Sequence, residues 1–421
     1  HEDYTEQQTA DGVDDIINHY NSKKSNKFGT LCHYAKISGS GELYNTWFDN
    51  NKKNYSLSIK DVAMKILRTE LNKRICICNG EFFFKPDEYD PNWIRGEKDI
   101  KRQLRRDILF NGEKYQYFKL QDDGEYTLIE MKEKKQLDDC TSFILDLTET
   151  DNKFTTKRWV EGLGKICFNN GYYDFVDRQF KPYDSHNTLI KIDRDFKPCN
   201  LEIRQEIYDK VINPIFGDNI LKRDAFLYNM GMAMAGDITF KKWIHVQGER
   251  CSGKGVMCDF VGNSFENYVR ETSTANFYKK HGNSDKDEAK AKSFMYFLQF
   301  ARLVCCNESE ADVVLSGTSI KAFCSGGDYH QVRINHKDEV DIRLQSVLMI
   351  LSNDFFNVVP RDATEKLITY DMKSVFLSGS ETEAQLTGIN YYPEDKDIRF
   401  IFLEREDVKN EICHIIFDAH K

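Results

Sequence analysis

Trp243-Ile-His-Val-Gln-Gly-Glu-Arg-Cys-Ser-Gly-Lys-Gly-Val-Met-Cys-Asp-Phe-Val261 is the stretch on which the fold turns. The apolar run Trp243 to Gln247 reads as a strand, Gly248 to Gly255 as a glycine-rich loop, and Val256 to Val261 as the start of a helix. The loop fits GxxxxGK, the pattern of a phosphate cradle. Small residues let successive backbone N–H groups wrap phosphate oxygens, and a lysine reaches the outer ones. Gly248, Cys251, Ser252, Gly253, Lys254 and Gly255 are therefore candidate nucleotide-binding residues, with Lys254 also a candidate for catalysis. A glycine-rich surface turn has the same composition, but the strand before the loop and the helix after it favour the phosphate reading. The Ser or Thr that usually follows the lysine and binds Mg²⁺ is Gly255 here. The metal must then be held by other groups or by water, and Ser252 is a candidate at an unusual place in the loop.

Two apolar runs further along the chain point to the same edge. Arg302-Leu-Val-Cys-Cys-Asn-Glu-Ser-Glu310 is a strand ending in two carboxylates, so Glu308 and Glu310 are candidates to hold the metal and polarise an attacking water. Ser346-Val-Leu-Met-Ile-Leu-Ser-Asn353 is a strand ending in an amide, and Asn353 is a candidate to orient the water or bind the outermost phosphate. Three such strands deliver Lys254, Glu308 and Asn353 to one carboxyl edge, where open α/β sheets bind ligands. Between them, Gln331-Val-Arg-Ile and Val340-Asp-Ile342 alternate around a polar tip and predict a hairpin, with Arg333 on one arm and His336 and Lys337 at the tip. A single such tip is normally just solvated. Repeated around a ring, it would make a basic collar that grips the phosphates of a threaded strand.

The rest of the chain supplies context. From about 237, short apolar strands alternate with amphipathic helices, which predicts a mostly parallel sheet covered by helices. One of these helices is expected over Ala289 to Phe300, with Phe294, Phe297 and Leu298 on one face. Residues 201–236 carry apolar positions at helical spacing, read as two helices separated by Pro214, and Lys165 to Phe175 as a hairpin around an Asn-Gly turn. Residues 1–160 mix aromatic strands, such as Glu81 to Phe84, with charged helical stretches. The basic run Arg95 to Arg106 beside Trp93 is either a DNA contact or a charged helix face. The expected organisation is a smaller α+β domain (1–160), a hairpin connector and helical collar (161–236), and an α/β ATPase domain (237–421).

Across the 421 residues, 59 Lys and Arg face 68 Asp and Glu, a formal charge of −9. Hence bulk charge does not coat nucleic acid, although a few basic groups concentrated in a channel remain compatible. No apolar run approaches the length needed to span a bilayer, and the first thirty residues lack the apolar core of a signal peptide, so no membrane association is expected. The 12 cysteines show no paired CxxC spacing and read as reduced thiols of a cytosol-like compartment. The chain opens on His1, as a processed or excised fragment would.

The order of the motifs resembles that of the superfamily 3 helicases of DNA viruses, and more closely the helicase part of the poxvirus-type primase-helicases of large cytoplasmic DNA viruses. The resemblance rests on Gly248 to Gly255, Arg302 to Glu310, Ile320 to Asp328 with the hairpin after it, and Val347 to Asn353. The Asn-Gly-Tyr-Tyr-Asp-Phe segment at 170–175 is also similar to the stretch preceding the ATPase in that family. The resemblance covers about 165–370. It implies an AAA+-like P-loop ATPase core and a homo-hexameric ring that hydrolyses ATP with Mg²⁺ between subunits. Such a ring translocates on single-stranded DNA at a replication fork, beside other viral replication proteins, in the host cytoplasm. Glu308 and Glu310 then match the Walker B acids, Asn353 matches sensor 1, and His336 and Lys337 fall in the pore hairpin. An arginine finger is implied too. This chain departs from the family pattern there, reading Pro360-Arg-Asp-Ala-Thr-Glu-Lys-Leu367, which leaves Arg361, Lys366 and Arg399 as candidates with Arg361 preferred.

The leading expectation is thus an ATP-dependent DNA helicase. An alternative is a nucleotide- and DNA-binding ring acting as loader or scaffold with weak hydrolysis, for which Gly255 is the evidence. A nucleotide kinase is disfavoured, because no arginine-rich lid follows Asn353. No primase activity is expected, since residues 1–160 offer no clear set of metal-binding carboxylates.

Overall fold

The computed structural model describes residues 56–420, apart from 112–113, 123–125, 184–186, 238, 240, 280–287, 308–312, 334–338 and 378–389. Two compact units divide the described chain: residues 56–90 with 94–152, and 91–93 with 153–420.

The first unit is α+β. It contains α1 (Ile59–Thr69), the antiparallel strands β1 (Ile75–Cys78), β2 (Glu81–Phe84) and β3 (Ile94–Arg95), α2 (Glu97–Phe110), the hairpin β4 (Gln116–Leu120) and β5 (Tyr126–Glu130), and α3 (Lys134–Asp146). Ile100, Leu104 and Ile108 recur every fourth residue along α2 and are all buried with Phe84 and Ile144. Lys101 pairs with Glu97 along the helix, and Arg105 bridges to Asp138 of α3, each at 2.6 Å, as the residues of a charged helix face do. Trp93, which belongs to the second unit, is buried there against Phe154 in an edge-to-face contact, 4.7 Å between ring centroids.

The second unit begins with α4 (Phe154–Gly162) and an antiparallel sheet of β6 (Lys165–Cys167), β7 (Tyr172–Asp174) and β8 (Gln179–Lys181). Next come α5 (Leu201–Ile207), a π-helical turn Tyr208–Ile212, α6 (Asn213–Phe216) and α7 (Ile220–Ala235). The expected break at Pro214 is corrected here. Proline stands in the first turn of α6, where its missing N–H costs nothing, and the π turn before it absorbs the mismatch. The chain breaks instead at Gly217, at φ +57.

The sheet that follows contains β9 (Trp243–Gly248), β10 (Val269–Glu271), β11 (Leu303–Cys306), β15 (Val347–Ser352) and β17 (Leu367–Met372). All are parallel, in the order β10-β11-β15-β9-β17. The other elements are α8 (Lys254–Phe265), α9 (Glu288–Ala291), β12 (Val314–Ser316), α10 (Gly317–Phe323), the hairpin β13 (His330–Arg333) and β14 (Glu339–Ile342), β16 (Asn357–Val359), the parallel pair β18 (Ser374–Leu377) and β19 (Asn390–Pro393), and α11 (Glu406–Ala419).

Both faces of the sheet are covered, which is why its strands read as continuous apolar runs. Ile244, Val246, Cys305, Met349 and Leu351 pack with residues of α7, α8 and α11, whereas Trp243, Val304, Leu348 and Ile350 pack with Ile320 and Phe323 of α10. The expected connector and collar therefore share one core with the sheet. The single helix expected over Ala289 to Phe300 is a correction. A short α turn leads into a 3₁₀ segment, Ser293–Leu298, whose three-residue period buries Met295 and Leu298 and leaves Phe297 69% exposed. Among the described residues no helix is long and apolar enough to cross a membrane.

Candidate nucleotide site

β9 ends at Gly248, and after five intervening residues α8 begins at Lys254. The turn between them requires left-handed backbone at Cys251 (φ +61) and Gly253 (φ +82). Gly253 has a second reason to lack a side chain: a Cβ there would stand 2.8 Å from Ile215 Cγ1 and 3.2 Å from Phe376 Cε2. Phe376 N–H donates to the Cys251 carbonyl at 2.9 Å, which ties β18 to the loop.

The Lys254 ammonium lies across the mouth of this turn. It donates to the carbonyls of Gly248 (2.5 Å) and Glu249 (2.7 Å), to Ser252 Oγ (3.2 Å) and to Asn353 Oδ1 (3.2 Å). Burial pushes its pKa below the ordinary lysine value, against smaller opposing contributions from Cys251 and Glu249. Every one of these partners is a neutral acceptor, so the ammonium is poised to exchange them for an anion. Ser252 is buried, and its hydroxyl is engaged with the lysine.

Asn353 arrives by register. β15 lies beside β9 with Ser352 opposite Gln247, so the residue after each strand faces the same edge. β11 is the next neighbour, and Asn307, just beyond its end, lines the same cleft. Glu308 and Glu310 lie outside the described residues, as do His336 and Lys337. Arg333 ends β13 and pairs with Glu339 across the hairpin. Arg361 and Lys366 bound an exposed 3₁₀ turn, Arg361–Lys366, and neither lines the cleft. Arg399 does line it, on the same chain as Lys254, and is ion-paired to Asp259 of α8.

The cleft encloses about 1070 Å³. Its lining is mixed: Lys254, Asn307 and Asn353 are polar, and Ile215, Phe376 and Tyr392 are apolar or aromatic. The Phe376 and Tyr392 rings stack at 5.6 Å and 27°. Such a lining suits a ligand with both anionic and planar apolar parts. Sequence reasoning missed the apolar and aromatic lining. Ile215, Phe376 and Tyr392 come from α6, β18 and β19, which share no local motif, and only the tertiary fold joins them.

No family model matches the chain. Over 273 residues it is 24% identical to a protein of the Sputnik virophage described as "Putative helicase V13", covering 64% of this chain and 34% of the relative. The chain is similar, then, to a viral protein with a helicase's name. It spans about a third of that relative's length. Among solved structures, the C-terminal region of NrS-1 aligns at TM-score 0.41 and 13% identity, covering 75% of this chain and 70% of that one. A second structure of that region, 305–718, aligns at TM-score 0.36 and 14% identity, covering 79% and 69%.

Proposed function

We propose that the chain is the motor part of a viral DNA helicase with an AAA+-like P-loop core, hydrolysing ATP and moving on single-stranded DNA as a homo-hexameric ring. The observation that carries this reading is the position of Lys254. It stands at the start of a helix, on the carbonyls of a glycine-rich loop, and within hydrogen-bond reach of Asn353 on the neighbouring strand. The backbone N–H groups opening α8 and the Lys254 ammonium would hold phosphate oxygens. Asn353 would then exchange the lysine for the outermost phosphate or its attacking water.

Mg²⁺ fits this site as a nucleotide-borne ion. Among the described residues no cluster of three His, Cys, Asp or Glu side chains would hold a metal alone. A Cβ at Gly255 would meet nothing within 4 Å, which leaves room for water beside the phosphates. Bound there, the ion would neutralise charge on the transferred phosphoryl group. Glu308 and Glu310, just after Asn307, are the proposed carboxylates for the metal and the water, and Arg361 is the proposed finger offered to a neighbouring subunit. Arg333, His336 and Lys337 are the proposed DNA contacts. The relative's name supports the helicase reading at this level. The missing hydroxyl at Gly255 favours a second reading, a nucleotide-dependent DNA loader or scaffold with weak hydrolysis.

The test is the ATPase rate with and without single-stranded DNA, across protein concentrations, beside Lys254→Ala. DNA-stimulated hydrolysis that rises cooperatively with concentration and vanishes in the variant is expected. Nucleotide binding without turnover at any concentration would select the loader reading.

A further inference from the structure

Behind Asn353 lies a buried polar relay that the proposed chemistry does not use. His245, in the middle of β9, has no solvent exposure, and its Nε2 is 2.7 Å from Ser352 Oγ, the last residue of β15. Ser352 Oγ also lies 2.5 Å from the carbonyl oxygen of Asp354. That carbonyl can only accept, so the serine's one proton points to it. The hydroxyl then accepts from His245, which must carry its proton on Nε2. Nδ1 is left as a buried acceptor without a hydrogen-bond partner. Burial lowers the imidazole pKa to about 4, so the ring is neutral at physiological pH. Phe355 and Phe356, which follow in the same turn, pack on the ring at 5.1 and 4.6 Å between centroids.

These contacts bracket one residue. Ser352 and Asp354 are tied by the relay, Phe355 and Phe356 by ring packing, and Asn353 between them is the exposed residue whose amide meets Lys254. A buried imidazole whose Nδ1 has no partner is costly in a strand interior, where an apolar side chain would carry no such cost. We infer that His245 is a positioning residue of the nucleotide site. By donating to Ser352 it fixes the turn that aims Asn353, and so sets how strongly the site prefers a nucleoside triphosphate over a diphosphate. This rests on the nucleotide reading proposed above.

The test measures equilibrium binding of ADP and of a non-hydrolysable ATP analogue to the full chain and to Asn353→Ala, His245→Leu, His245→Gln and His245→Leu/Asn353→Ala. The expected result is that His245→Leu weakens the triphosphate analogue about tenfold, the scale of one hydrogen bond to a charged group, and leaves ADP within about twofold. His245→Gln, whose amide nitrogen can stand where Nε2 does, should restore most of the preference. The double variant should be no worse than Asn353→Ala. A His245→Leu chain with wild-type preference, or one that loses both nucleotides equally, overturns the inference. Wild-type chain that binds neither nucleotide overturns the nucleotide reading itself and the inference with it. Should His245→Leu fail to fold, Ser352→Ala cuts the same relay at its centre and is judged by the same two affinities.

Discussion

Lys254 Nζ donates to Asn353 Oδ1 across 3.2 Å, although 99 positions separate the two residues in the chain. Parallel pairing of β9 with β15 creates the contact, because each residue follows the carboxyl end of its strand. In the nucleotide site proposed above, the ammonium is thus fixed beside the phosphate position before any ligand arrives. A site arranged in this way pays less ordering entropy on binding.

Replacing Lys254 by Met separates binding from folding. Burial already depresses the lysine's pKa, so holding it charged at neutral pH is a cost to the folded state, and its removal should leave the ligand-free chain at least as stable. Loss of a charge-assisted phosphate contact should weaken nucleotide binding about 10- to 100-fold. Thermal unfolding with and without ATP checks both halves: the variant should melt no lower than wild type, and a given ATP concentration should raise its midpoint less.

Gly255→Ser tests how the metal is held. The added Cβ meets nothing within 4 Å, and serine is the better helix former by about 0.5 kcal/mol, so stability should be unchanged or slightly raised. A hydroxyl there should also lower the Mg²⁺ concentration needed for half-maximal ATP binding. An unchanged requirement would show that the ion sits away from α8.

What the sequence disclosed follows from what is local. The strand, loop and helix around Lys254 are contiguous, so periodicity and two glycines sufficed, and the apolar runs ending at Cys306 and Ser352 were legible for the same reason. The apolar and aromatic lining of the cleft was not, because Ile215, Phe376 and Tyr392 meet only after three distant segments pack. The Ser293–Leu298 segment misled because residues spaced three apart fit both an α and a 3₁₀ period, and packing of Met295 and Leu298 chose the tighter one. Pro214 misled because a proline in a first turn does not break a helix.

Gly236 and Arg302 make a second long-range pair. Gly236 ends α7 at φ +68, and a Cβ there would lie 1.8 Å from Arg302 Nη1. That guanidinium is buried, donates to the carbonyls of Gly162 and Lys165, and has its pKa lowered by burial to about 10. Gly236→Ala should therefore cost about 3 kcal/mol or more, joining left-handed strain to displacement of a buried cation. Arg302→Met in the same chain should recover part of that loss, a coupling that a double-mutant cycle of urea midpoints would measure. Strictly additive losses would mean that the two sites do not touch.

Acid sensitivity should trace in part to His245. Its folded pKa is about 4, below the ordinary 6.5, because burial penalises the charged ring. The unfolded chain therefore binds the proton more readily. Stability is fully present above pH 6.5 and is lost as pH falls toward 4, by on the order of 3 kcal/mol at the lower limit. His330 and His420 are shifted the same way by burial and add to the slope. Urea midpoints between pH 7.5 and 5.0 should fall for wild type and fall less steeply for His245→Gln, which has nothing to protonate at that position. An identical slope in the two chains would mean that His245 meets solvent, and the neutral relay to Ser352 would then fail with it.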